Sequence, residues 1–173
     1  HDRHHPRARI MGAIMTGIIL AGRTGASYAA VIGTMQVNEE IDALTTLGVA
    51  PSDYLIMPRV LALTAMTPLL VLYSDFMGIM GGFIVGVGIL GLDPMEYYTF
   101  TQKGFNINNL WVGMVHGAVY GMLIAITGCY QGLRCGRNAE AVGKATTSAV
   151  VYSIVGIVLS TAVLTILCNI LNI

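Results

Sequence analysis

Charge is what this sequence has least of. Only 10% of its 173 residues are Asp, Glu, Lys or Arg, against roughly 25% in a soluble domain. The two signs balance at nine each, so there is no basic footprint for nucleic acid. Cysteine is almost as scarce. Cys129, Cys135 and Cys168 form no CxxC pair, which argues for unpaired thiols and against a metal site. No GxxxxGK[ST] pattern occurs, so phosphate-loop ATP chemistry would have to come from another chain. No secretory leader is recognised, and residues 1–9, HDRHHPRAR, differ from everything after them. They are set aside as an atypical N-terminal stump ahead of a 10–173 domain.

What the chain has in plenty is apolar surface. Hydrophobic residues make up 55% and mean hydropathy is +0.72. A soluble domain of this size exposes too much of itself to hide so much apolar area, so lipid is the natural solvent. Four apolar stretches run from about 10 to 33, 60 to 92, 110 to 130 and 149 to 170. About 20 apolar residues cross a bilayer core, so the first, third and fourth fit one crossing each. The second is too long for one perpendicular helix and too short for two. It is read as one long or tilted helix, with Pro68 the place for a bend; a re-entrant hairpin turning at Gly81-Gly82 is the alternative. The expected fold is an all-α integral membrane protein, a bundle of about four transmembrane helices.

Lys and Arg in short loops set the orientation. Arg134, Arg137 and Lys144 follow the third stretch, whereas the loop before it holds only Lys103 beside Asp93 and Glu96. Residues 131–148 and 34–58 are therefore expected in the cytoplasm and 93–109 outside. Small residues recur every four positions: Gly22, Ala26 and Ala30; Gly78, Gly82 and Gly86; Gly113, Gly117 and Gly121. Such ridges let membrane helices approach closely.

Between the first two stretches lies NEEIDALTTLG, residues 38–48. Asn38 suits an N-cap, Glu39, Glu40 and Asp42 favour the positive end of a helix, and Ile41, Leu44 and Leu47 form an apolar stripe. Gly48 suits the C′ position and Pro51 stops continuation. A helix of about ten residues is marginal alone in water, so something must hold it. Lying on the membrane is the bland alternative, but interfacial helices carry Lys and Arg rather than acids. A protein groove that takes the stripe and pairs the carboxylates fits better.

The run GRTGASYAAVIGTMQVNEEIDALTTLGVAPSDYLIMPRVLA from Gly22, YSDFMGIMGG from Tyr73 and GCYQGLRCGRNAEAVGKATTSAVV from Gly128 together resemble the MlaE-type permeases of ABC transporters. The resemblance covers nearly everything from about Gly12 onward and is to the C-terminal two-thirds of such a permease. The family's interfacial helix, first membrane helix and RELGP-like stretch are absent, HHPRAR standing in their place, so an N-terminally incomplete chain is expected. The resemblance implies a homodimer in the inner membrane that moves phospholipid or related lipid. It implies two cytoplasmic ATPase subunits as partners, an MCE-domain substrate-binding protein outside, no cofactor on this chain and no catalysis by it. The 38–48 helix corresponds to the family's coupling helix, which sits in a groove of the ATPase.

Two charged residues fall inside apolar stretches. Asp75 is a functional candidate by default, for a cation, a proton or a lipid headgroup, with a structural hydrogen bond as the equal alternative. Arg23 could pair with Asp75 or a lipid phosphate, though snorkelling to the interface is simpler. Arg59 is read as marking the entry of the second helix, and His116 as a packing residue. A carrier using Asp75 without an ATPase is the competing function, and it leaves the acidic helix unexplained. An intramembrane aspartyl protease would need a second membrane carboxylate, which the spans lack.

Overall fold

A computed structural model describes residues 5–104 and 107–171, with helices and no strand among them. The chain is an all-α membrane protein. α1 (His5–Leu20) passes through a π-helical turn (Ala21–Gly25) into α2 (Ala26–Val37). α3 (Glu40–Thr46) follows, then a second π turn (Ser52–Ile56) that leads into α4 (Met57–Gly88). α5 (Pro94–Gly104), α6 (Ile107–Leu133) and α7 (Ala139–Leu171) complete the order.

Three helices among the described residues are long and apolar enough to cross a membrane: Ser52–Gly88, Leu110–Leu133 and Ala139–Leu171. The second apolar stretch is thus one helix running through Pro68 and through Gly81-Gly82, and the hairpin alternative does not form. The first helix matches the others in length. Its Arg23, flanked by Gly22 and Thr24, dilutes its apolar character below theirs. It nonetheless packs against α4, α6 and α7 and buries Ala13, Ala21, Ala29 and Ile32 completely.

α6 is the hub, touching α1, α2, α4 and α7. Its glycines explain how. A Cβ at Gly117 would meet the Pro68 Cα of α4 at 3.3 Å, and one at Gly121 would meet the Leu63 carbonyl oxygen at 2.8 Å. On the other flank, a Cβ at Gly128 would lie 2.8 Å from the Gly25 carbonyl oxygen, and one at Gly132 would lie 2.7 Å from the Ile32 Cβ. Backbone therefore touches backbone on two sides of one helix, which lets dispersion hold the bundle where lipid removes the hydrophobic drive. The other glycines of the sequence ridges divide. Gly82 and Gly86 make room for the ring of Tyr97 from α5, while Gly22, Gly78 and Gly113 have nothing within 4 Å.

Polar pairs complete the α6–α7 contact. Tyr120 Oη and Thr161 Oγ1 lie 2.6 Å apart, as do Thr127 Oγ1 and Ser153 Oγ. His116 is 1% exposed. Its Nδ1–H donates to the Val112 carbonyl at 2.7 Å, and its Nε2 has no partner among the described residues. Outward, Val155, Leu159, Val163 and Ile166 of α7 are exposed. An unbroken apolar face of this kind is at home only in lipid or against another apolar chain.

At Gly121 the neighbours are the Leu63 carbonyl oxygen, which cannot swing away, and the buried Thr67 side chain whose hydroxyl is bonded to it. Gly121→Ala should therefore lower the stability of the detergent-solubilised chain by about 1–3 kcal/mol, read from its unfolding midpoint. Gly113→Ala, with open space around it, should be neutral or stabilising by up to about 1 kcal/mol. Equal effects at the two sites would refute the hub assignment.

Candidate functional site

α2 does not stop where Asn38 could cap a new helix. It runs on to Val37, and Asn38 becomes its C-cap, its N–H donating to the Thr34 carbonyl at 3.0 Å. Only one residue then remains before α3. Glu39 takes it with φ 59°, the sole positive φ at a non-glycine among the described residues. A left-handed residue with a Cβ stores of order 1–3 kcal/mol, so the tight reversal is held by contacts around it. The N-cap of α3 is accordingly Glu39, with no side-chain cap bond. Asn38 instead donates from Nδ2 to Glu40 Oε1 at 3.3 Å.

The far end follows the sequence closely. Gly48 adopts φ +78°. Its N–H donates to the Thr45 carbonyl, and the Val49 N–H to the Leu44 carbonyl, each at 3.1 Å. This is a Schellman closure, for which glycine is the favoured residue.

The stripe splits. Ile41 is 6% exposed and Leu44 half-buried, but Leu47 is 77% exposed. Helical geometry explains this: six residues at about 100° each leave Leu47 some 120° round from Ile41. Ile41 and Leu44 belong to a cluster with Ile32 of α2, Leu55 of the second π turn, and Cys129 and Leu133 of α6. α3 is thus held first by its own chain. An outside groove is not needed to bury Ile41, and what remains outward is Leu47, with Val49 and Tyr54 also exposed.

The carboxylates find a partner in the chain as well. Arg137, in the loop between α6 and α7, donates to Asp42 Oδ2 at 2.7 Å and lies 3.8 Å from Glu39 Oε1. The loops predicted to share the cytoplasmic side therefore meet at one end of the bundle. The sequence does not reveal this partner: there Arg137 reads as a positive-inside residue, with contact to an ATPase as the second possibility. Its signal was opposite charge on loops of one side. Arg59 sits close by, its guanidinium 5.4 Å from the Tyr28 ring centroid, and so ties the base of α4 to α2. Cys135, 9% exposed in the same loop, has its thiol pKa pushed up by burial. The three cysteines are unpaired.

The two intramembrane charges are not brought together. Asp75 is half-buried, and its Oδ1 would meet a Cβ at Gly12 at 3.1 Å. Arg23 is exposed and lies eleven residues along the same helix from Gly12, about 16 Å at 1.5 Å per residue.

With this geometry in place, comparison with known proteins is decisive. The family model described as Permease MlaE matches residues 7–167. The chain belongs to the MlaE permease family. A probable ABC transporter permease protein of Rickettsia typhi is 43% identical over 157 residues, 91% of this chain and 61% of the relative. A probable ABC transporter permease protein of Synechocystis is 37% identical over 152 residues, 88% of this chain and 58% of the relative. The chloroplastic protein TRIGALACTOSYLDIACYLGLYCEROL 1 of Arabidopsis thaliana is 34% identical over 157 residues, 91% of this chain and 45% of the relative. This MlaE-family chain thus spans about three-fifths of the length of the first of these relatives, and less of the others.

If α3 is fixed from within, Ile41→Ala should cost about 2–5 kcal/mol of stability, as large-to-small changes in a core do. Arg137→Gln should cost less than about 1 kcal/mol, since the three charged side chains are 48–70% exposed and the pairs are screened. Unfolding of the two variants in detergent checks both, and the reverse order would mean that charge rather than packing seats the helix.

Proposed function

We propose that this chain is the membrane-spanning transport part of an ABC transporter permease that moves phospholipid or a related lipid between membranes. The observation that carries the proposal is the dual setting of α3. One side, Ile41 and Leu44, is buried with residues of α2, the second π turn and α6. The other leaves Leu47 and Glu40 exposed, beside the Glu39 and Asp42 carboxylates that Arg137 holds. A helix joined to α2 by a two-residue turn and sharing its core transmits a push to the spans. A cytoplasmic ATPase that receives the exposed side would rock the bundle as it closes on ATP, and ATP would be bound and hydrolysed on that subunit. Asn38 and Gly48 set the two ends of the lever.

Lipid as cargo is supported by the apolar character of the outward faces and by the scarcity of intramembrane polar groups, which a polar solute would require. One relative is itself named for a diacylglycerol lipid. The family resemblance supplies the remaining parts: a second copy of the chain, an MCE-domain protein on the outer side, and the inner (plasma) membrane as the location. In this scheme the exposed Arg23 faces the edge of the lipid path and Asp75 serves the contact between α1 and α4, while Gly78 and Gly113, open in the single chain, are available to the second copy.

The test uses exposed positions, so that folding is not at stake. Glu40→Lys and Leu47→Asp should each abolish co-purification of the ABC ATPase, with the unfolding midpoint unchanged. Retention of the ATPase by both variants would refute the coupling role. Lipid transfer from reconstituted vesicles should stop without ATP and survive in Asp75→Asn; ATP-independent transfer lost in Asp75→Asn would establish the carrier instead.

A further inference from the structure

The cytoplasmic end of the α6–α7 contact holds a groove that the coupling role does not use. It has a volume of about 650 Å³ and is lined by Thr127, Tyr130, Gln131 and Arg134 on one side and by Ser148 and Tyr152 of α7 on the other. The volume is within the range of small-molecule sites. Each lining residue carries a polar group on an otherwise partly apolar wall, and the one charge among them is positive.

That charge is held in place. Arg134 Nη1–H donates to Tyr130 Oη at 2.6 Å, and the guanidinium lies 5.4 Å from the centroid of the same ring. One of five N–H donors is engaged in this bond and the rest of the planar fork is presented. No carboxylate lines the groove. The nearby acid Glu140 is matched by Lys144 at 2.8 Å, and Glu39 and Asp42 by Arg137.

Position decides the kind of anion. Arg134 directly follows the last residue of α6, whereas Thr127 lies about two turns inside the span. Ser148 and Tyr152 lie well into α7. The groove therefore straddles the boundary between headgroups and acyl chains, with its arginine at the water end. Tyrosines sit at that level because one end of the ring is apolar and the other polar.

We propose that this groove binds the phosphate headgroup of an anionic inner-leaflet phospholipid. Arg134 takes the phosphate through its fork, and the hydroxyls of Ser148 and Tyr152 and the amide of Gln131 meet the polar atoms of the glycerol and headgroup. The acyl chains leave along the exposed apolar side of α7. The inference does not rest on transport, and its test needs no ATPase.

The intact chain, purified in a neutral detergent, is titrated with phosphatidylglycerol and, separately, phosphatidylcholine, and bound lipid is counted by native mass spectrometry. One saturable phosphatidylglycerol is expected, displaced by neither 1 mM inorganic phosphate nor 1 mM glycerol 3-phosphate (concentrations of about this order suffice to reveal free-anion competition at micromolar to millimolar affinity). Arg134→Gln should weaken it at least about tenfold, the effect of losing one charge-assisted hydrogen bond. Ser148→Leu, which fills the groove from the opposite wall and leaves the arginine intact, should weaken it similarly. Lys144→Gln, outside the lining, should not. An unchanged affinity in both Arg134→Gln and Ser148→Leu overturns the site. Displacement by the free anions overturns the lipid assignment, and equal loss in Lys144→Gln reduces the binding to general surface charge.

Discussion

Everything in this bundle depends on how closely α6 can approach its neighbours. In lipid, apolar side chains gain little by leaving one apolar surface for another, so association rests on dispersion and on the few polar pairs between helices. Gly117 and Gly121 bring α4 against one flank of α6, and Gly128 and Gly132 bring the first helix against another. Once the backbones are that close, Tyr120 can reach Thr161 and Thr127 can reach Ser153, and α7 is fastened to the same axis. The cluster beneath α3 is a consequence. Cys129 and Leu133 are placed under Ile41 because Gly128 and Gly132 have drawn α6 against α2.

The proposed function rests on the same arrangement. A seven-residue helix cannot persist alone in water, yet α3 need not, because two residues tie it to α2 and a shared core ties it to α6. The strained Glu39 and the Arg137 clasp lie at the joint between this lever and the bundle. The exposed clasp adds little stability; in the proposed scheme it would set where the lever points rather than whether the protein folds. Under the proposed coupling role, force arriving at Leu47 would have a stiff path into α6, the helix that touches the most others.

Much of this was legible in the sequence. The long second span, the shared side of the 34–58 and 131–148 loops, the closure at Gly48 and the close packing at Gly117 and Gly121 all follow from composition, charge and spacing. What escaped did so for physical reasons. Asn38 is a good cap in isolation, but α2 claims it, because helix continuation to Val37 depends on packing that no local pattern reveals. The i, i+3, i+6 spacing of Ile41, Leu44 and Leu47 looks like one stripe over three residues but drifts off a helical face over six. Gly128 and Gly132 carried the same four-residue signal as the other ridges; their importance lies in what stands opposite, which one strand of sequence does not state. Arg137 and Asp42 are 95 positions apart, and only the fold makes them neighbours.

The central claim is that α3 is a fixed extension of the bundle rather than a helix waiting for a partner. Native-state hydrogen exchange of the solubilised chain, without any ATPase, tests it most directly. The account predicts that the α3 amides bonded within the helix are protected alongside the end of α2, and that Ile41→Ala removes this protection while sparing the centre of α6. Exchange of those amides at the rate of an unstructured peptide in the unmodified chain would contradict it.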